Sequence, residues 1–236
     1  MKYLSPTAIN IYRKCPRKFM YYVKQFPSLP PHPKYEEALE LGRIVHQIIA
    51  HYYNIIPESV TPTEVKMFVT KAYKDVFPES MLHLKERVEM QLLNFIKFEK
   101  QRLNWHISAK PIAVEKDYRR DGVHGVVDAL FRKGDDLVVV DWKTGRGKAR
   151  LTEDIVVQMN VYLYLTGAKE AYVVFLEFGE YSVVTPSIDV VELVKTITSD
   201  NLFIPKRGKH CESCEYQMLC FKGEIPDSMF VVYNIL

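Results

Sequence analysis

Long apolar runs are missing from this chain of 236 residues. No stretch approaches the roughly 18 consecutive apolar residues needed to cross a bilayer, so no membrane span is expected. The opening MKYLSPTAINIYRKCPRK lacks the apolar core of a secretory leader, which predicts a soluble, cytoplasmic protein. Cysteine is scarce, with only four residues, and a reducing compartment argues against structural disulfides. A charge of one sign is missing as well. The 32 basic and 29 acidic residues leave +3, which neither demands nor excludes nucleic acid and moves the question to local clusters. Four such clusters stand out, YRKCPRKF, YRR, FRK and KTGRGKAR, each of which taken alone reads as a solvated face. No internal repeat or low-complexity segment occurs. With 47% hydrophobic and 26% charged residues the chain can bury one substantial core, so a single domain over residues 1–236 is expected.

What is present is ordered from helices to strands. Ser5 and Pro6 offer a cap and a first-turn proline for a helix running to about Gln25, which FPSLPPHPKY then breaks. Apolar spacing predicts helices over 35–53, 63–76 and 81–104. Strands follow at 111–119, 123–132 and 136–143, a helix at 153–166, strands at 171–178 and 180–185, and a helix at 187–200. A β-meander followed by helix and strand predicts an α/β fold, a mixed central sheet flanked by helices. Residues 1–110 form its mostly helical part, 111–200 its core and 201–236 a C-terminal segment.

Within VVVDWKTG, residues 138–145, side chains alternate, so Asp141 and Lys143 share one face while Val140 and Trp142 take the other. Asp128, in HGVVDALFR, lies on the preceding strand, and KGDD between them reads as a short hairpin turn. Two acids and a lysine can converge there. An edge salt bridge on an ordinary hairpin is the simpler explanation of one D-x-K taken alone.

Cys211, Cys214 and Cys220 stand in a C-x2-C-x5-C pattern, and Cys15 lies 196 residues upstream. Three clustered thiols look like an incomplete metal site that Cys15 would complete, stapling the two ends together. Zinc sites more often pair two knuckles, so an iron–sulfur cluster (4Fe–4S) suits the pattern better, with zinc as the alternative.

GRIVH (Gly42 to His46), GVVD (Gly125 to Asp128), DWKTG (Asp141 to Gly145) and QMNVY (Gln158 to Tyr162), bracketed by these cysteines, resemble the iron–sulfur branch of the RecB-like PD-(D/E)XK nucleases. The closest match is the CRISPR-associated RecB-like exonuclease family, and the motifs occur in its order over nearly the whole chain. The resemblance implies a restriction-endonuclease-like core and a Mg²⁺- or Mn²⁺-dependent deoxyribonuclease. It implies His46, Asp128, Asp141 and the backbone carbonyl of Trp142 as metal ligands, with Lys143, Gln158 and Tyr162 completing the catalytic set. Hard carboxylates suit such cations, and a histidine among them favours Mn²⁺. Gln158 and Tyr162, four apart, share a helical face.

The resemblance further implies 5′-to-3′ exonuclease action on single strands or DNA ends and prespacer processing for CRISPR adaptation beside the integrase proteins. It also allows homo-oligomers and points to a bacterial or archaeal cytoplasm. A stand-alone repair, replication or viral nuclease, and a catalytically silent DNA-end binding or scaffold protein, are the alternatives. Interleaved aromatics and bases at the start, Tyr12, Arg13, Arg17, Lys18 and Tyr22 among them, suggest a path for single-stranded DNA, with core packing as the competing reading of the aromatics.

Overall fold

The computed structural model describes residues 3–29 and 34–220. Residues 30–33 of the expected helix break and 221–236 of the expected C-terminal segment lie outside the described residues. The described chain comprises helices α1 (Pro6–Lys14), α2 (Pro16–Val23), α3 (Lys34–Ile55), α4 (Val65–Val76) and α5 (Lys85–Asn104), then strands β1 (Ala113–Arg120), β2 (Val123–Lys133) and β3 (Asp136–Lys143). Helix α6 (Glu153–Thr166), strands β4 (Glu170–Phe175) and β5 (Glu180–Val184), and helices α7 (Val190–Ser199) and α8 (Gln217–Cys220) follow.

The single first helix expected over 5–25 is two helices meeting at a corner. Pro16 cannot donate a backbone hydrogen bond, and its ring drives the preceding residue out of the helical region. Cys15 is accordingly extended, at φ −159° and ψ 110°, while its own N–H still closes α1 on Ile11. Helix α2 restarts with Pro16 in its first turn. The helix expected from residue 81 opens as a 3₁₀ turn, Glu79–Leu84, and becomes α-helical only at Lys85. The fourth strand stops at Phe175 because a turn intervenes, with the N–H groups of Phe178 and Gly179 both returning to the Phe175 carbonyl.

The five strands lie in sequence order across one sheet. All neighbours are antiparallel except β3 and β4, which are parallel. A parallel pair needs a crossover, and α6 supplies it. Its start is capped by Thr152 Oγ1 accepting from the Ile155 N–H, and its end by Gly167 at φ +72°.

Strand β3 is therefore the third of five and paired on both edges. Val138, Val140 and Trp142 join a core with α3, α4 and α5 that includes Tyr53 and Phe95. Val139 faces the opposite core, built from α1, α6 and α7. Burying such side chains contributes roughly 1.5–3 kcal/mol each, so the alternation along β3 is held from both sides.

Beneath the helical core lies one buried charged cluster. Arg102 and Glu99 are both inaccessible to solvent. The guanidinium makes two bonds to the carboxylate, at 2.7 and 2.6 Å, and donates to the Ser108 and Ala109 carbonyls on the way to β1. Tyr53 and Tyr52 of α3 donate to the same carboxylate at 2.8 and 3.3 Å, and Phe131 of β2 stacks under the guanidinium at 4.1 Å. Removing one partner of such a pair strands the other charge, which costs about 3–5 kcal/mol. Glu99→Ala is expected to lose that much stability in urea unfolding, and the double variant Glu99→Leu/Arg102→Met to recover most of it.

Candidate active site

Pairing between β2 and β3 ends at Ala129 and Val140. Beyond that point the Asp128 side chain takes over, its Oδ2 accepting from the Trp142 N–H at 2.9 Å. Asp141, 1% exposed, lies on the same face of the sheet. Lys143 Nζ is 2.7 Å from Asp141 Oδ2 as an ion pair, but the approach is not aligned for a hydrogen bond, and that buried oxygen accepts none. The ammonium donates instead to Gln158 Oε1 at 2.8 Å, and Gln158 Nε2 donates to the Tyr162 hydroxyl at 2.8 Å.

His46 comes from α3. Its Nε2 is 3.0 Å from the Trp142 carbonyl, and since a carbonyl only accepts, Nε2 carries the hydrogen. In the neutral ring this makes Nδ1 a lone-pair acceptor, 3.8 Å from Asp128 Oδ2. Two acceptors at that separation favour a cation between or beside them. Asp128, Asp141, Lys143, Gln158, Tyr162, His46 and the Trp142 carbonyl are thus brought together at the end of β3.

The motif glycines have a geometric reason. A Cβ on Gly125 would lie 2.8 Å from Tyr162 Cε1, so only glycine in GVVD admits the tyrosine of QMNVY. A Cβ on Gly42 would lie 3.1 Å from Thr144 Oγ1, where GRIVH meets DWKTG. The motifs interlock in two pairs.

One supporting residue was not anticipated. Gln91 of α5 is fully buried, and its Nε2 donates to the Thr144 carbonyl at 3.0 Å and to Glu177 Oε2 at 2.7 Å. It holds the chain immediately after Lys143 against the helical half. The available sequence signal was a polar residue between Val88 and Phe95 on the apolar face of α5.

Burial, and then the nearby Asp141 charge, push the Asp128 carboxyl up to about 6, against the opposing pull of His46, the Trp142 N–H and Lys143. Burial and the same acids raise the Tyr162 hydroxyl, which stays protonated. A buried and a half-buried carboxylate, one oxygen without a hydrogen bond, a carbonyl and an imidazole are a hard, mostly oxygen donor set. It fits Mg²⁺ or Mn²⁺. Among the described residues no three His, Cys, Asp or Glu side chains form a ready-made cage. Here Lys143 rests against Asp141 Oδ2, while His46 holds the Trp142 carbonyl through Nε2 and leaves Nδ1 facing Asp128.

The four cysteines, all free thiols, line one pocket together with Lys18, Tyr21, Lys206 and Tyr216 among others. Cys15 is buried at the α1–α2 corner, and burial raises the Cys214 and Cys220 thiols. The segment carrying Cys211, Cys214 and Cys220 is tied to the N-terminal helices by other contacts as well. Lys18 pairs with Glu215 at 2.7 Å, Arg17 Nε donates to the Phe203 carbonyl at 3.0 Å, and the Tyr21 and Tyr216 rings are 5.6 Å apart.

Most of the residues expected to form a DNA path are engaged in that same seam. Tyr12 donates to Asp200 at 2.8 Å, and Tyr22 packs partly buried against the core of α1, α6 and α7. Arg13 pairs with Glu153 at 3.6 Å. None of the five, Tyr12, Arg13, Arg17, Lys18 and Tyr22, shares a hydrogen bond or ion pair with the carboxylate site among the described residues.

A family profile described as the PD-(D/E)XK nuclease superfamily matches residues 3–221. No curated protein matches the chain. Among solved structures, the crystal structure of SSO0001 is similar over 93% of this chain and 86% of that chain, at 15% identity and a TM-score of 0.41.

An Asp128 carboxyl held at about 6 stays protonated in the cation-free folded protein after the unfolded chain has released its proton near pH 4. Stability therefore falls as pH rises through that window, and the full penalty persists above it. Asp128→Asn keeps an acceptor for the Trp142 N–H and removes the penalty. In chelator-treated protein its urea midpoint is expected to match wild type near pH 4 and to exceed it at pH 8 by on the order of 1–3 kcal/mol. Equal stability at pH 8 would show that the acid is not strained.

Proposed function

The chain belongs to the PD-(D/E)XK nuclease superfamily, and on that premise we propose that it is a divalent-metal-dependent deoxyribonuclease whose chemistry sits at the end of β3. The observation that carries this reading is the convergence of Asp128, Asp141 and Lys143 with the Gln158–Tyr162 chain on one side and His46 with the Trp142 carbonyl on the other. Asp128, Asp141, His46 and the Trp142 carbonyl would hold Mg²⁺ or Mn²⁺. The cation would supply Lewis-acid polarisation of the scissile phosphate.

The chain's own groups do the rest. Gln158 holds the Lys143 ammonium in place, so its remaining N–H groups can orient the attacking water or meet negative charge growing on the phosphate. Tyr162 accepts from Gln158 and so fixes which end of the amide faces the lysine. Asp141 lies beside the ammonium as an ion pair at 2.7 Å.

In finer detail, we read residues 1–236 as one nuclease domain and its preferred substrates as single strands or DNA ends, degraded exonucleolytically. From the motif resemblance we infer the CRISPR-associated RecB-like branch, with prespacer trimming beside the integrase proteins as its task. Four thiols lining one pocket, with one C-x2-C knuckle, one offset and one remote cysteine, support a 4Fe–4S cluster over zinc. Such a cluster moves no electrons in hydrolysis and acts as a fastener between α1–α2 and the C-terminal segment.

Cleavage of end-labelled single-stranded and duplex DNA by anaerobically purified protein is the test. Activity is expected with Mn²⁺ or Mg²⁺, and Asp141→Ala and Lys143→Ala should each lower it at least a hundredfold with the melting temperature retained. Full activity in Lys143→Arg would overturn the positioned ammonium, and an inert, folded wild type would favour a DNA-binding scaffold. The same preparation is expected to be brown, and Cys15→Ser to lose both the colour and several degrees of melting temperature. A colourless wild type would overturn the iron–sulfur assignment.

A further inference from the structure

We propose that the loop joining β3 to α6, through Arg146, Lys148 and Arg150, together with Arg43 of α3, is the phosphate track that carries a nucleic acid strand into the carboxylate site. This rests on the nuclease reading above and adds the surface that grips the substrate.

The loop begins directly after Lys143. Arg146, Lys148 and Arg150 are exposed, and none has a hydrogen-bond or ion-pair partner for its side chain among the described residues. The two acids closest in sequence, Glu153 and Asp154, are taken by Arg13 and Lys14 across the α1–α6 contact. The loop's charge therefore faces solvent uncompensated, a local positive field that attracts anions.

Its backbone is open as well. Nothing lies within 4 Å of where a Cβ would stand on Gly145 or Gly147, so a phosphate could approach the main chain closely there. Arg43 adds a fourth uncompensated charge next to Gly42, the residue that abuts Thr144 at the base of the loop. The loop's apolar side chains after Gly145, Ala149 and Leu151, both pack against the core, and Thr152 caps α6. The track thus has no apolar tip with which to enter a lipid bilayer or anchor a protein partner. Repeated positive charge with exposed backbone matches a chain of phosphates read without regard to base sequence.

The variant Arg146→Ser/Lys148→Ser/Arg150→Ser tests this against a control of equal charge, Lys66→Ser/Lys71→Ser/Lys74→Ser, on the exposed face of α4. With a labelled single strand in the presence of Mn²⁺, the loop variant is expected to raise KM at least tenfold and leave kcat within about threefold. Between about 50 and 200 mM salt its log–log slope of affinity should be shallower by about 2, near 0.7 per lost contact. The α4 variant should shift KM less than threefold and leave the slope unchanged. Equal effects from the two variants, or a fall in kcat at unchanged KM, would overturn the track while leaving the nuclease standing. A wild type that neither binds nor cleaves DNA would overturn the nuclease reading and the track with it.

Discussion

Strand β3 is hydrogen-bonded on both edges and covered on both faces, and the rest of the molecule is arranged around that confinement. A strand so placed must send alternate side chains into two different cores. Trp142 goes one way, among Tyr53, Phe95 and Phe98, while Asp141 and Lys143 go the other, toward α6. The price is a carboxylate taken out of water next to a second one on β2. Burial and mutual repulsion raise the proton affinity of Asp128, and the same two causes create demand for a cation. A site able to attract a divalent metal is thus a consequence of where the strand is buried.

The motifs that look separate in sequence are complementary shapes in space. GVVD and QMNVY meet where Gly125 leaves room for the Tyr162 ring, and GRIVH and DWKTG meet where Gly42 leaves room for Thr144. Close backbone approach lets short polar side chains reach one another, and the His46 contact with the Trp142 carbonyl depends on α3 lying this near the end of β3. Gln91 closes the arrangement from the third helix of that half by holding the Thr144 carbonyl. Each polar contact is modest, but in a dry setting an unmade one is expensive, so the set behaves as a unit.

The two ends of the described chain form a second, independent construction. Leu4 bridges to Val123 at the start of β2, placing the N-terminus against the sheet. Helices α1 and α2 then receive the segment after α7 through Tyr12–Asp200, Arg17–Phe203 and Lys18–Glu215, with the four thiols gathered in the same seam. Basic and aromatic residues that resemble a nucleic acid path in sequence serve here as the seam's own contacts. Among the described residues no acid pairs with Arg146, Lys148 or Arg150 on the loop after Lys143.

Local periodicity determined much of this protein. The order of helices and strands, the mixed sheet and the shared face of Asp141 and Lys143 all follow from spacing that neighbouring residues set among themselves. The Cys15–Pro16 corner was legible in principle too, since proline acts on its immediate neighbour, yet the helical pattern on either side masked it. The tertiary structure alone decided what each charge faces. Glu99 and Arg102 form a buried pair only because α3, the stretch before β1 and β2 supply their other partners. Gln91 matters because it meets residues 53 and 86 positions away, and Arg13 is spent on Glu153 while Arg146 is not. Contacts between residues distant in sequence carry no periodic trace, because their energy depends on which surfaces the packed sheet and helices bring together.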